Sequence, residues 1–209
     1  MIKTHVIMPG ENIVDVVVRY VTPHLEDGDI VFVSEKATAA SQGRAIPIDE
    51  IQPRPLARFL ASRVRKVPYG FGLGKPETME MALREAGTLR ILLAAGVHVV
   101  SRVLLGRSGD FYRVAGRRVA AIDGPTTWAQ PPYNRCVTLA PLNPDGVAQE
   151  IADRLLRGTG AAIVDVNDLG SEVLGASRNV RRELVRKALR DNPLGQGAFQ
   201  TPLGLLRPV

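Results

Sequence analysis

Apolar residues in this chain come in short runs whose spacing keeps changing, and the longest, Ile91 to Val100, is itself interrupted by Gly96 and His98. Spanning a bilayer takes roughly 18 to 20 consecutive apolar residues, so such runs are read as elements of a water-soluble core, with no membrane partner. Helical and strand-like patterns alternate irregularly, without a repeat of fixed period and without a Pro/Ser-rich linker. The expectation is a single compact α+β domain over 1–209. With 209 residues of which 45% are hydrophobic, the chain has enough apolar side chain for a real core, which excludes a disordered or fibrous protein. Cys136 is the only cysteine, so no internal disulfide and no thiolate metal cluster within one chain is possible, and stability rests on packing. Met1-Ile2-Lys3-Thr4-His5 lacks the basic stretch, apolar run and small-residue cleavage site of a secretory leader, and a cytoplasmic location is expected.

Twenty-seven Lys and Arg face 21 Asp and Glu, a net charge of +6. That bias suits nucleic acid, nucleotide phosphates or an acidic metabolite. The one dense basic run, Arg178, Arg181, Arg182, Arg186, Lys187 and Arg190, is spaced as one face of a helix and reads as a solvated face. Aromatic residues are only 5% and none interleaves with that run, so the stacking platforms of a nucleic-acid-binding module are missing, and no nucleic acid is expected as partner.

Asn12 is placed to cap a helix with apolar positions Ile13, Val14, Val17, Val18 and Val21, although so many valines leave a strand open. Ile30 to Val33 reads as a short buried strand after the turn Glu26-Asp27-Gly28-Asp29. Pro53 to Val64 and Pro76 to Ala86 read as helices, the second with Pro76 and Glu77 in its first turn. Val103–Leu105, Asp110–Val114 and Val119–Ile122 read as three strands of an antiparallel meander with glycine turns. Asn143-Pro144-Asp145 opens a helix through Leu156, Ala162 to Val166 is the next strand, Val180 to Leu189 a helix, and the tail from Asp191 is rich in Gly, Pro and Gln.

Three features bear on chemistry. Tyr69-Gly70-Phe71-Gly72-Leu73-Gly74-Lys75 has glycines at alternate positions beside a lysine, which reads either as a flexible loop or as a backbone that approaches a phosphate closely. It matches neither the Walker A spacing nor the dinucleotide fingerprint. Asp123 ends the apolar run Ala121-Ile122, and Asp165, Asn167 and Asp168 end Ile163-Val164; each cluster delivers a carboxylate into a loop. Asp123 alone is equally a turn-capping side chain. Paired with Asp165 it is the oxygen-donor set that Mg²⁺ takes in nucleotide sites. Strand alternation puts Asp165 and Asn167 on the face opposite Val166 and Asp168, so not all of them reach one ion. His5, His24 and His98 lie too far apart in sequence for a zinc site, and Cys136 inside an apolar stretch reads as a structural thiol.

Together these segments resemble the coenzyme F(420)-0:L-glutamate ligase family, also called F(420)-0:gamma-glutamyl ligases, over most of the chain and in the same order. Leu25 to Lys36, continuing to Ser41-Gln42-Gly43-Arg44, is similar to the family's first strand, its Ser-x-Lys and its Glu-Gly-Arg turn, with Gln42 where Glu is usual. Ala115-Gly116 to Asp123 and Ile163 to Val166 resemble the segments that carry two metal-binding aspartates. A shorter branch of the family is closer still, through Gly72 to Met79, Ile122 to Pro125, Pro131 to Asn134, Asn167 to Gly170, Leu174 to Ser177 and Asp191 to Gln196. The chain departs from better-studied members in having Gly124-Pro125-Thr126-Thr127 where they have a Ser-Asn pair, and in lacking the Gly-Arg-Pro-Trp-Arg stretch after their second aspartate.

The resemblance implies an α+β fold with a mixed, largely antiparallel sheet and a homodimer. It also implies a GTP-dependent enzyme that joins L-glutamate to the carboxylate of a phosphorylated deazaflavin or a related acceptor through an acyl phosphate. On that footing Asp123 and Asp165 would hold Mg²⁺ or Mn²⁺ and lie close together, Lys36 and Arg44 would act on phosphate as the catalytic cations, and Ser34, Lys36, Gly72, Gly74 and Lys75 would bind the nucleotide. The alternative is a protein of the same fold that binds a phosphorylated metabolite or nucleotide without ligating it, which the missing motifs motivate.

Overall fold

The computed structural model describes residues 1–64, 72–106, 110–167, 170–193, 195 and 197–207. Tyr69 to Phe71 of the glycine loop, Asp168, and Leu194 and Gln196 of the tail lie outside them. The chain divides into two compact units, one of residues 1–44, 128–130 and 141–209, the other of 45–127 and 131–140.

The first unit is built on a four-stranded sheet. Its strands are β1 (Ile30–Ser34), β4 (Gly160–Asn167), β5 (Gly170–Ala176) and β6 (Leu203–Leu206), in the order β5-β4-β1-β6. β1 and β4 run parallel, while β5 pairs antiparallel with β4 and β6 with β1, so the sheet is mixed and mostly antiparallel. Alternation along the strands sends Val31, Val33, Ala161 and Ile163 into one layer, under α1 (Ile13–Val21) and α8 (Pro144–Arg154). Phe32, Ala162 and Val164 go into the other, under Val185 and Leu189 at α9 (Arg182–Ala188). A short helix, α2 (Glu35–Ser41), follows β1 directly.

Local chemistry fixes these elements. Asn12 Oδ1 accepts the Val14 N–H at 2.9 Å, which settles the valine-rich segment as a helix whose Val14, Val17 and Val21 are buried. Asp145, in the first turn of α8, accepts the Ala176 N–H at 2.9 Å and is paired with Arg182. Arg182 is therefore tied back onto the sheet, and the dense basic run is only partly a solvated face. A side chain at Gly175 would meet the Pro144 carbonyl carbon at 2.2 Å, so only glycine lets β5 approach the start of α8. The buried Asp29 carboxylate accepts from Arg207 Nε and Nη2, each at 3.0 Å, and closes the carboxyl end of β6 onto the turn before β1.

The second unit is mainly helical: α3 (Pro55–Arg63), α4 (Pro76–Ala86), α5 (Thr88–Leu105), α6 (Asp110–Ala115) and α7 (Arg117–Ala120). A two-stranded antiparallel sheet of β2 (Ala45–Pro47) and β3 (Cys136–Thr138) completes it. Met79, Leu83, Ile91, Ala94, Val119, Ile122 and Val137 form its core. Glu80, almost wholly buried on α4, receives Arg54 Nε and Arg84 Nε at 3.0 Å each.

The meander expected over Val103 to Ile122 is not there. Val103–Leu105 is the end of α5, Asp110–Val114 lies in α6, and Val119 belongs to α7. The buried positions Ala115, Val119 and Ile122 are spaced four and three apart, which is a helical period too short-lived to separate from strand by pattern alone. The glycines that suggested hairpin turns are helix ends: Gly106, at φ +62°, caps α5, and Gly116, at φ +99°, precedes α7. Among the described residues no single helix is long and apolar enough to cross a membrane.

Candidate active site

In the sheet unit Ser34, Lys36 and Asp165 lie at or just beyond the carboxyl-end halves of the two parallel strands. Ser34, the last residue of β1, is in register with Val164 of β4, so Asp165 emerges beside the junction where β1 turns into α2. Open crevices at the carboxyl ends of parallel strands are where such sheets bind ligands. Ser34 Oγ accepts the Ala37 N–H at 3.3 Å and caps α2, and its own N–H donates to the Pro202 carbonyl at 2.8 Å. Lys36 is exposed in the first turn of α2. Arg44 comes after the far end of that helix, about 10 Å along its axis by the rise of seven residues, and its N–H donates to the Ala39 carbonyl.

Gln42, where the family usually has Glu, makes two bonds that need an amide. Its Nε2 donates to the Leu142 carbonyl at 3.1 Å and its Oε1 accepts the Leu142 N–H at 2.7 Å. A carboxylate accepts only, so Gln here preserves a backbone clamp that Glu would half lose.

The register of β4 and β5 sets Asp165 opposite Glu172, with Asn167 two positions along on the same face. Asp165 and Asn167 are half-buried and Glu172 is exposed. Asp165, Glu172 and Asn167 carry oxygen donors of the type hard divalent cations take, while among the described residues no three Asp, Glu, His or Cys side chains group to hold an ion. Sequence reasoning does not reach Glu172, because its place opposite Asp165 depends on recognising β5 as the antiparallel partner of β4.

In the helical unit Asp123 is held by its backbone. Its N–H donates to the Thr138 carbonyl and its carbonyl accepts the Thr138 N–H, both at 2.9 Å, an isolated antiparallel bridge. The apolar lead-in to Asp123 is thus the short helix α7, where a strand is expected from the sequence. Its side chain is exposed. The next residue, Gly124, has little room for a methyl group: an added Cβ would lie 3.2 Å from Thr78 Oγ1 and 4.0 Å from the Gly72 carbonyl oxygen. The Asp123-Gly124 turn therefore lies against the Gly72–Gly74 turn and the first turn of α4, bringing Asp123 to the segment that contains Gly72, Gly74 and Lys75. Thr78 is fully buried and its hydroxyl has no hydrogen-bond partner. Pro76 at the start of α4 leaves Lys75 as the N-cap, with no side-chain cap on the helix. A backbone turn, a helix amino terminus and a lysine in one place are the features that receive a phosphate.

Cys136 is buried, and burial, with the nearby Glu50 charge, pushes its thiol up. It packs in the interior, where the neutral thiol is favoured over the thiolate. Asp123 and the glycine turn belong to one unit, and Ser34, Lys36, Arg44 and Asp165 to the other.

The model of the F(420)-0:gamma-glutamyl ligase family matches residues 1–168, which is most of the chain and includes both Asp123 and Asp165. The chain belongs to that family. Its relatives include the coenzyme F(420):L-glutamate ligase of Methanopyrus kandleri, 27% identical over 169 residues, which are 81% of this chain and 56% of that protein. An uncharacterised protein of Methanocaldococcus jannaschii is 38% identical over 77 residues, 35% of this chain and 26% of its own length. The chain thus spans little more than half of the ligase it matches. The mixed sheet flanked by helices agrees with family membership.

Proposed function

We propose that this family member is a GTP-dependent amide ligase that adds L-glutamate to the carboxylate of a phosphorylated deazaflavin or a related acceptor. Family membership supports the reaction class, and the name of the Methanopyrus relative supports L-glutamate and the deazaflavin coenzyme as substrates. One observation carries the reading to particular residues: Asp123 is held by its backbone against a glycine turn and an uncapped helix start.

A carboxylate does not react with an amine in water, since its oxide is a poor leaving group. Activation comes from attack of a carboxylate oxygen on the γ-phosphorus of GTP, which releases GDP and leaves an acyl phosphate. The glutamate amine then attacks the acyl carbon, phosphate departs with the bonding pair, and the nitrogen loses a proton. Such phosphoryl transfer is catalysed mainly by positioning and by neutralising phosphate charge. In this reading the turn at Gly72 and Gly74, with Lys75, cradles phosphate oxygens. Within the sheet unit, Lys36 and Arg44 are the cations proposed to act on phosphate, and Ser34, whose hydroxyl already caps α2, retains an O–H to donate. Asp123 in the helical unit, and Asp165 with Glu172 and Asn167 in the sheet unit, are the oxygen donors that would hold Mg²⁺ or Mn²⁺, and such an ion would neutralise charge on the transferring phosphoryl group. The reading treats 1–209 as one ligase-like domain working in the cytoplasm.

A second reading, binding of a phosphorylated metabolite without ligation, is favoured by one feature. After Asp165 the chain turns within a few residues into β5, where better-studied members are similar to one another in a Gly-Arg-Pro-Trp-Arg stretch. Thermal shift with GTP and Mn²⁺, with ATP, and with RNA tests the proposal. Stabilisation by GTP only when metal is present is expected. Equal stabilisation without metal favours the second reading, and stabilisation by RNA alone overturns both.

A further inference from the structure

Within the sheet unit, the turn from α8 into β4 lines a cavity of about 360 Å³ together with Arg178 and Asn179, which follow β5. Ligand pockets begin at about that size. β4 opens at Gly160, five residues before Asp165, which is about 16 Å along the strand, so the cavity lies at the opposite end of the sheet from the candidate active site.

A chain of hydrogen bonds holds its rim. The Ala161 N–H donates to Ser177 Oγ at 2.9 Å, and the Ser177 hydroxyl donates to Asn179 Oδ1 at 2.7 Å. Asn179 Nδ2 then donates to the Gly158 and Thr159 carbonyls, at 3.3 and 3.1 Å. Gly158, at φ +94°, supplies the left-handed step of the turn. Gln149 Oε1 accepts the Arg178 N–H at 3.0 Å, and Gln149 Nε2 donates to Asp153 Oδ1 at 2.8 Å. Acceptors around the cavity are thereby engaged, the two carbonyls by Asn179 and the one lining carboxylate by Gln149. The donors are left over. Among the described residues neither the Arg157 nor the Arg178 guanidinium meets a carboxylate or carbonyl, whereas Arg154, Arg182, Arg186 and Arg207 of the same unit are all ion-paired. Thr159 is 2% exposed and its buried hydroxyl has no partner. A buried polar group without a partner is costly, and an acceptor from outside the chain would satisfy it.

We propose that this cavity binds the phosphate group of a small phosphorylated molecule, with Arg157, Arg178 and the Thr159 hydroxyl as its donors. Guanidinium groups bind oxyanions through paired N–H bonds. Two such forks and a hydroxyl donate five bonds. An ionised carboxylate offers about four lone-pair sites, while the three terminal oxygens of a phosphate accept all five. The remaining volume takes the organic part of the ligand.

The test is calorimetric titration of the full chain with glycerol 3-phosphate, with inorganic phosphate and acetate as comparison ligands and nitrogen-15 NMR to locate the contact. Glycerol 3-phosphate is expected to bind with a Kd of about 1 mM or below and to move the amide signals of Arg157 to Thr159, Arg178 and Asn179. Arg157→Gln with Arg178→Gln should weaken binding about tenfold or more with an unchanged circular dichroism spectrum. Thr159→Val should weaken it severalfold while the melting temperature without ligand holds or rises, because a methyl group replaces a hydroxyl that has no partner. A hydroxyl that serves packing alone would lower the melting temperature and leave the Kd unchanged, which counts against the proposal. Tighter binding of the ester than of inorganic phosphate supports an esterified ligand, and the reverse order supports free phosphate in the same site. Acetate binding as tightly as phosphate, a Kd indifferent to the two glutamines, or NMR shifts confined to Gly72 to Lys75 overturns the proposal. So does a single-stranded oligonucleotide that binds more tightly than glycerol 3-phosphate through the same two arginines.

Discussion

In the sheet unit, α1 and α8 lie on β1 and β4, and Val17, Val21, Ile151 and Ile163 are fully buried between them. In the helical unit, α5 buries Ile91 and Ala94 and leaves Leu89, Val103 and Leu104 facing outward. The contrast follows from architecture. A four-stranded sheet has two broad faces, and each finds a helical layer. The three-residue strands β2 and β3 offer no such face, so the longest helix of the chain is covered on one side only. The two units are alike in another respect: each fixes one deeply buried carboxylate with arginines, Asp29 by Arg207 in the first and Glu80 by Arg54 and Arg84 in the second.

The largest expected effect separates chemistry from folding. Asp123→Asn should lower metal-dependent turnover on the order of a hundredfold or more, as loss of a group acting on developing phosphoryl charge does. The melting temperature should stay within a few degrees, since the backbone bridge to Thr138 is untouched. A large fall in stability with turnover per folded molecule unchanged would make Asp123 a structural residue of the helical unit.

Next comes a substitution that should damage the sheet unit. Gly175→Ala places a methyl group 2.2 Å from the Pro144 backbone and should cost about 3 kcal/mol, measured by urea unfolding. Amide exchange should show β4, β5 and α8 opening first. Uniform acceleration across both units would mean that they unfold as one, which would weaken the division drawn here.

The buried carboxylates give a pH test. Hydrogen bonding to the Arg207 guanidinium holds Asp29 below the usual carboxylate range, outweighing burial. For Glu80 burial alone acts upward, and the hydrogen bonds from Arg54 and Arg84 overcome it, so the net direction is again down. A carboxyl lowered by folding stabilises the protein above its unfolded-state pKa and loses that contribution as pH falls through the folded value. Stability should therefore hold from pH 7 to about pH 5 and fall below it. Asp29→Asn and Glu80→Gln should each cost about 2 kcal/mol at pH 7 and make the acid limb shallower. If Glu80→Gln instead leaves the acid limb unchanged, the arginine pair is an exposed contact of little consequence.

Smaller effects sharpen the local account. Asn12→Ala should cost about 1 kcal/mol by removing the cap of α1. Gly124→Ala should cost a similar amount, because Thr78 must give by a few tenths of an ångström. It should also weaken nucleotide binding, which Asn12→Ala should not.

What the sequence made legible differs between the units for physical reasons. Capped, strongly periodic elements were readable: Asn12 before α1, Pro76 and Glu77 at α4, Asn143-Pro144 at α8, and the apolar runs of β1 and β4. α5 was missed because it is apolar almost all round, so its periodicity vanishes, and its valines mimic strand. β3, β5 and β6 were missed because pairing, not composition, makes them strands: Leu203 to Leu206 is a strand only because β1 lies beside it. In the candidate site, the carboxylates at strand and helix ends were visible as chemistry emerging from apolar runs. Glu172 and Thr78 were not, since register and burial alone give them a place there.

The central claim is amide ligation. The most direct measurement is mass spectrometry of a deazaflavin phosphodiester acceptor incubated with L-glutamate, GTP, Mn²⁺ and the folded full-length chain, with GDP release followed in parallel. The account predicts an acceptor heavier by one glutamyl residue, one GDP formed per bond, and neither product when metal is omitted or Asp123 is replaced by Asn. GTP-dependent stabilisation with no glutamyl product and no GDP, from a protein shown to be folded and metal-loaded, would contradict it.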